Sequence, residues 1–455
     1  MERVDVAVVG GGPAGASAGW SAAAAGANAL VLERGVPRAD REGLGPDSTD
    51  AAGMLDYWVD LMDLPDGVPD DLILSPLEGA DFIGPTETLS IDDTGLDSSY
   101  PDFGFAFDRA GFDDWLREEA EAAGATYRVG DSVTGVDSDL SGPGGPTHTV
   151  ELSNGEAVEA DALVLADGPQ RTVTGPTLNQ FLETPLGERM PTTKVNHIAY
   201  QEHRRMPEEL FEPGRLKFWW GVMPGHTAYP WVFPNDDSVA RIGLTMPIGL
   251  DIDDFDRSEW GLLREDDDAI PDGAEYLRRL LEREYPGYDL EEFPLVEDRG
   301  KHAGTETYPI SSTQPIESPT AADIAVVGGA MGATSAFHEG GDHVAVRTGR
   351  IAGRLAAEGG LARYNDAWQE AIGDEVLRNV TLAEIVEPYG PDDWDRGFAA
   401  ADTMLNRGEY SLWSLLRSGL TGVRMVRTYR KTKARFADGN YVQLRESEYA
   451  VPAPA

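Results

Sequence analysis

The stretch Val4-Asp5-Val6-Ala7-Val8-Val9-Gly10-Gly11-Gly12-Pro13-Ala14-Gly15-Ala16-Ser17-Ala18-Gly19, answered by Leu30-Val31-Leu32-Glu33-Arg34, decides the fold. An apolar β-branched run, a glycine turn, a run of small residues and a second apolar run read as strand, turn, helix and strand. Gly10, Gly12 and Gly15 keep the G-x-G-x-x-G spacing. In that spacing the first glycine makes the tight turn, the second lets the backbone approach a pyrophosphate, and the third packs helix on strand. The helix N-terminus then offers free N–H groups and partial positive charge to the phosphates. Glu33 ends the second strand, where a carboxylate accepts the ribose hydroxyls of an adenosine and repels a 2′-phosphate. The expected ligand is therefore FAD or NAD.

Composition sets the frame around this unit. The 455 residues are enough for two or three domains. Asp and Glu number 80 against 37 Lys and Arg, a formal net charge of -43, and lysine stands only at 194, 217, 301, 431 and 433. Acid spread along the whole chain, with 41% hydrophobic residues, is the composition of a globular protein and not of a disordered acidic tail. It fits a surface adapted to very high salt, as in halophilic archaea, where self-repulsion is screened within about 3 Å at 1 M. The same surface excludes nucleic acid as a partner. Without cysteine there is no disulfide, thiolate metal site or redox dithiol, so electrons must pass through a bound cofactor. Met1 runs straight into the first strand, and no apolar run approaches the roughly 18 residues that cross a bilayer. The expected location is cytoplasmic, with peripheral contact on the inner face of the membrane.

Further along, Ala51 to Leu64 has helical spacing, with Leu55, Trp58, Val59 and Met62 on one face. Short apolar runs between turns fill 65–101. A helix from Arg109 to Gly124, strands at 126–129, 132–136 and 147–152, and the buried strand Ala160-Asp161-Ala162-Leu163-Val164-Leu165-Ala166-Asp167-Gly168 follow. From Gly175 the chain turns to aromatic strands, among them Tyr229-Pro230-Trp231-Val232-Phe233-Pro234, whose period of two sets Tyr229, Trp231 and Phe233 on one face. That face either lines an apolar pocket or is the core of a sandwich. A second nucleotide-type strand, Ala322 to Gly332, leads through His338-Glu339-Gly340-Gly341-Asp342 into a helix from Val344 to Gly359.

The dinucleotide fingerprint, the Arg109-x-x-Phe112-Asp113-x-x-Leu116 helix and the strand ending in Asp167-Gly168, in this order, resemble the FAD-binding domain of the para-hydroxybenzoate hydroxylase superfold. Tyr229-x-Trp231-x-Phe233-Pro234 with Gly243 is similar to a motif of the geranylgeranyl reductase family. The resemblance covers about residues 1 to 360. It implies an α/β fold, a Rossmann-like FAD-binding domain (1–64, 102–174 and 300–360) interleaved with an antiparallel-sheet substrate domain (65–101 and 175–299), followed by a C-terminal helical region (361–455). It implies FAD contacts from Gly10, Gly12, Gly15, Glu33, Gly43, Arg109, Val133, Asp167, Gly168, Gly329, Gly341 and Asp342, and an isoprenoid wall of Tyr229, Trp231 and Phe233. Arg109 also has a purely structural reading, as a helix residue paired with Asp113. Two departures stand out: Gly329 occupies the position of the family's usual aspartate, and no cysteine precedes Gly43.

The resemblance implies an FAD-dependent oxidoreductase that reduces C=C bonds of a geranylgeranyl lipid by hydride from the flavin. His338 is the nearest histidine to the expected flavin, either as proton donor or as a helix-start hydrogen-bonding residue. Without a second fingerprint the electron donor, whether nicotinamide, ferredoxin or deazaflavin, must come to the same flavin. The rival readings are a flavin monooxygenase or halogenase of the same fold and a flavoprotein passing electrons to quinone. Residues 411–436 hold seven basic residues and no acid. They read either as a peripheral membrane contact or as a helix neutralising the protein's own acidic surface.

Overall fold

The computed structural model describes residues 1–36, 52–65, 67–142, 144–190, 195–300, 302–405 and 419–451. Gly43 and residues 411–418 lie outside them. The opening stretch folds as read, with strand Glu2–Val9, helix Pro13–Ala24 and strand Ala29–Glu33. These strands lie in a seven-stranded sheet. Thr126–Val129, Ala29–Glu33, Glu2–Val9 and Ala157–Leu165 run parallel, and the antiparallel Thr147–Leu152 and Val133–Asp139 continue it. The nine-residue strand Ala157–Leu165 serves two neighbours on one edge. Its first half pairs with Thr147–Leu152 and its last three residues with Ile324–Val326. Burial on both faces explains why residues 6–9, 29–32 and 162–165 and strand Ile324–Val326 are unbroken apolar runs.

Helix Asp342–Ala357 crosses helix Pro13–Ala24 at very short range. A Cβ at Gly349 would fall 2.0 Å from the Ala14 carbonyl oxygen, and one at Gly353 would fall 2.0 Å from that of Ala18. Glycine on one helix and alanine on the other let the two backbones touch.

The second sheet has the order Thr305–Ile310, His197–Arg205, Val239–Pro247, Tyr229–Pro234, Arg215–Trp219, Gly79–Ile83 and Thr88–Ile91. One face packs on helix Gly273–Glu284 through Tyr276, Leu277, Leu280 and Leu281. That helix is started by Asp272, whose side chain accepts the Glu275 N–H at 2.9 Å. A three-stranded sheet of Gly53–Leu55, Gly104–Phe107 and Ile73–Leu77 lies apart from both larger sheets in strand pairing.

Two sequence expectations need correction. Residues 51–64 are not one helix. Gly53–Leu55 is a strand paired with Gly104–Phe107, and the helix is only Asp56–Met62. Its period could not show this, because Met54 is buried by strand pairing and Met62 by helix packing. Thr305–Ile310, expected among the FAD-binding segments, is the edge strand of the second sheet, held by six residue pairs to His197–Arg205.

The helix crossing is open to test. Gly353→Ala must push against a backbone carbonyl and should cost about 1–3 kcal/mol in denaturant unfolding. Gly397→Ala, in helix Pro391–Leu405 with open space around it, should gain roughly 0.5–1 kcal/mol instead.

Candidate active site

At the C-terminal edge of the first sheet the three fingerprint glycines divide their tasks by contact. Gly10 has φ 100°, and a Cβ there would lie 2.3 Å from the Ala166 carbonyl oxygen. A Cβ on Gly15 would lie 1.8 Å from the Gly10 carbonyl oxygen, whereas one on Gly12 would meet nothing within 4 Å. The turn is therefore closed on its inner side and open at Gly12, just where helix Pro13–Ala24 begins. Glu33 accepts the N–H groups of Gly11 and Gly35, each at 2.6 Å, which ties the second strand to the turn and leaves further lone pairs for a ribose. Gly11 belongs to the site although the spacing did not single it out. Its missing side chain makes room for the Tyr127 hydroxyl, which donates to the Gly11 carbonyl at 2.6 Å. An open glycine, a helix N-terminus and a strand-end carboxylate together fit a dinucleotide.

The other expected cofactor residues are placed unevenly. Asp167 accepts the N–H groups of Val173 (2.6 Å) and Thr174 (3.1 Å) and bonds the Thr174 hydroxyl, so its carboxylate starts helix Thr174–Asn179. Gly168, next to it, faces open space. Val133 opens the outermost strand of the sheet, beyond the Gly130 N–H bond to the Gly35 carbonyl. Arg109 is buried and bridges Asp113 and Asp342, the latter at 2.9 Å. The structural pairing with Asp113 is thus present, and the same guanidinium also fixes the first residue of helix Asp342–Ala357. Burial pushes the Asp113 carboxyl up to about 6 against the pull of Arg109. At Gly329 a Cβ would lie 3.1 Å from the Pro169 ring, so the proline after Asp167-Gly168 closes on the space where the family's aspartate would begin.

Gly341 and Asp342 line a cavity of about 460 Å³ together with Tyr229, Trp231, Phe233 and His338. Period-two spacing does put the three aromatic residues on the cavity side, while Val232 faces the opposite core. Trp231 lies across Gly243, its partner on the neighbouring strand, where a Cβ would stand 2.5 Å from the indole. A glycine opposite a large ring lets that ring lie flat on the sheet. Tyr229 donates its hydroxyl to the His338 carbonyl at 2.6 Å and stacks on Trp220 with ring centres 4.2 Å apart.

His338 is held neutral. Burial pushes its imidazole down to about 4, and its Nδ1 accepts the Gly340 N–H at 3.2 Å, which leaves its proton on Nε2. Its ring stacks on Trp58, which stacks in turn on His343 at 4.3 Å.

The sequence reading passed over Glu339. Its side chain is 3% exposed and lines the same cavity. The Thr227 hydroxyl donates to Oε1 at 3.1 Å, and the Thr245 hydroxyl bonds Oε2. Burial pushes this carboxyl up to about 8 against those bonds. Its backbone has φ 58°, a left-handed conformation that a glutamate rarely takes. Arg378, Asn379 and Leu382, from helix Tyr364–Val386 in the C-terminal region, complete one wall. Nothing in their spacing pointed to a site. The only available signal was the unusual Glu among the glycines after His338.

The fold is that of flavin-dependent oxidoreductases. A geranylgeranyl bacteriochlorophyll reductase-like protein from Thermoplasma acidophilum superposes with TM-score 0.68 at 20% identity, over 96% of this chain and 99% of that one. A myxobacterial FAD-dependent chondrochloren halogenase superposes with TM-score 0.58 at 17% identity, over 95% and 96%. In sequence, the chain is 27% identical over 406 residues to a digeranylgeranylglycerophospholipid reductase of Methanothrix thermoacetophila, covering 87% of this chain and 90% of the relative. It is also 27% identical to a geranylgeranyl diphosphate reductase of Rhodobacter capsulatus over 53% of this chain and 54% of the relative. A tryptophan halogenase family profile matches residues 87–189. The resemblance to geranylgeranyl reductases read from the motifs therefore extends over most of the chain.

Gly12→Val should fill the open side of the turn and abolish dinucleotide binding while the protein stays folded. Cofactor content of the purified variant, read beside its circular dichroism, checks this. Full occupancy would show that the phosphates lie elsewhere.

Proposed function

We propose that the protein is an FAD-dependent reductase that saturates C=C bonds of a geranylgeranyl-type isoprenoid lipid. The observation that carries this reading is the single cavity in which Tyr229, Trp231 and Phe233 face the Gly341-Asp342 helix start. An aromatic wall gives an unsaturated hydrocarbon close contact and demands no hydrogen bond in return. Gly10, Gly12, Gly15 and Glu33 would hold the adenosine and pyrophosphate, with Val133, Asp167, Gly168 and Gly329 on the adjoining segments. Gly341 and Asp342 would face the ring, with Arg109 fixing Asp342. When bound, FAD supplies the hydride. The protein's residues orient the alkene, exclude water and deliver the proton. His338, neutral and with its proton on Nε2, helps hold the turn and is too weakly basic to be an imidazolium donor at neutral pH.

The halogenase reading has one observation in its favour, the family profile over residues 87–189. That segment covers strand Thr88–Ile91 of the second sheet, strand Gly104–Phe107 of the small sheet, helix Arg109–Ala122 and the nucleotide-sheet strands from Thr126 to Leu165, and it ends before the aromatic strand Tyr229–Pro234. A lipid substrate also suits the described part of the basic segment. In helix Gly419–Phe436, Arg424, Arg427, Arg430 and Lys431 are exposed, while Arg435 pairs with Glu384. We place this face toward anionic headgroups. No helix among the described residues is long and apolar enough to cross a membrane.

Anaerobically reduced protein should be reoxidised by digeranylgeranylglycerophospholipid, with saturated product seen by mass spectrometry. Reoxidation by air alone, with no saturated lipid under any condition, would favour the oxygen-using reading. Trp231→Ala should raise KM for the lipid about tenfold or more and leave the flavin spectrum unchanged. Loss of flavin in that variant would make the strand merely structural.

A further inference from the structure

Glu339 lines the aromatic cavity together with Thr245. Two groups that act on its carboxyl, Ser312 by hydrogen bond and His226 electrostatically, line a second cavity of about 450 Å³. The groups that face the carboxyl come from several elements. They are His197 on strand His197–Arg205, His226 and Thr227 on the loop between strands Arg215–Trp219 and Tyr229–Pro234, Tyr229 and Thr245 on their strands, Ser312, and the neighbouring His338.

The hydrogen bonds settle where the protons are. Asn196 accepts the Ser312 N–H at 2.9 Å through Oδ1, so its amide nitrogen faces His197 Nδ1 at 2.8 Å. His197 Nδ1 is therefore an acceptor, and its proton is on Nε2. Nε2 lies 3.3 Å from Glu339 Oε1, the oxygen that also accepts from Thr227. The Thr227 hydroxyl accepts from His197 Nε2 at 3.1 Å and so must give its own proton to Oε1, which leaves the carboxyl proton on Oε2, beside Thr245, a residue that lines the aromatic cavity. Burial holds His197 and His338 near 4 and also lowers His226, so among these facing groups none carries positive charge at neutral pH to hold a carboxylate. The backbone holds Glu339 at φ 58° next to two glycines, a conformation of the kind kept where a function requires it.

We propose that Glu339 is the catalytic acid of the reduction, giving its Oε2 proton to the alkene carbon that does not receive the hydride. This rests on the reductase reading above. The balance closes with the reduced flavin named there as hydride source. The hydride forms a C–H bond at one alkene carbon, the π pair takes the carboxyl proton to form the other, and the O–H bond breaks to leave Glu339 as carboxylate. The carboxylate regains a proton from water on the side of Ser312 and His226.

The test uses holoenzyme reduced with dithionite and mixed anaerobically with digeranylgeranylglycerophospholipid or geranylgeranyl diphosphate in turn. Glu339→Gln should keep its flavin and spectrum but oxidise at least ~100-fold more slowly, with Glu339→Asp partly restored. An independent readout needs no turnover. In infrared spectra of protein labelled with carbon-13 glutamate, one glutamic acid should stay protonated at neutral pH and titrate near 8. Wild type and Glu339→Gln equally active on lipid would overturn the proposal alone. Wild type inert toward both lipids would overturn the reductase reading and the proposal with it. Should Glu339→Gln fail to fold, absence of the protonated carboxyl in wild type overturns the proposal by itself.

Discussion

Backbone contact between two helices is the constraint on which the rest depends. Helix Pro13–Ala24 carries the fingerprint turn, helix Asp342–Ala357 carries the wall of the cavity, and they meet at Ala14 with Gly349 and Ala18 with Gly353. Gly328 closes the same junction, since a Cβ there would stand 2.8 Å from that of Ala14. Helix Pro13–Ala24 follows the strand that ends at Val9, and helix Asp342–Ala357 follows the parallel strand that ends at Val326 after the short helix Gly328–Met331 and a turn. In the proposed reading one would serve the phosphates and the other the reacting end. Interiors are packed too densely for such a contact to drift, so the spacing of the two helices is fixed by five small residues.

The second sheet supplies the opposite wall by the same economy of side chains. Trp231 lies flat because Gly243 is opposite, and Phe233 approaches a strand whose Gly53 would otherwise strike its ring at 2.6 Å. The Tyr229 hydroxyl then reaches across to the His338 carbonyl and locks the sheet to the turn before helix Asp342–Ala357. Arg109 does the same from the other side by holding Asp342. The cavity is thus bounded by two tethers, one neutral and one charged, that join elements more than 100 residues apart.

How much of this was legible in the sequence follows from the range of the forces involved. The strand-turn-helix-strand unit is local, and its glycines are required by contacts within the turn and with the adjoining strand, so spacing alone placed them. The aromatic strand was legible because period two is also local. Thr305–Ile310 went to the wrong sheet because its six residues carry no period that distinguishes one sheet edge from another. Gly329 reads as a missing aspartate until Pro169 is seen against it. Glu339 was invisible for a different reason. A carboxylate in a chain with 80 acidic residues is unremarked, and only burial beside hydroxyls and neutral imidazoles makes it an acid at neutral pH.

That origin separates the site from the surface that surrounds it. Exposed pairs such as Arg3 with Asp161 or Arg354 with Glu358 weaken as salt shortens the reach of charge. The carboxyl of Glu339 is set mainly by desolvation, which added ions do not relieve. A chain with net charge -43 would otherwise make every carboxyl in it sensitive to ionic strength through the summed field of the rest. With hydroxyls and neutral rings nearest to Glu339 and desolvation as the largest cause of its shift, the proton affinity of this carboxyl depends less on the medium than that of the exposed acidic surface does.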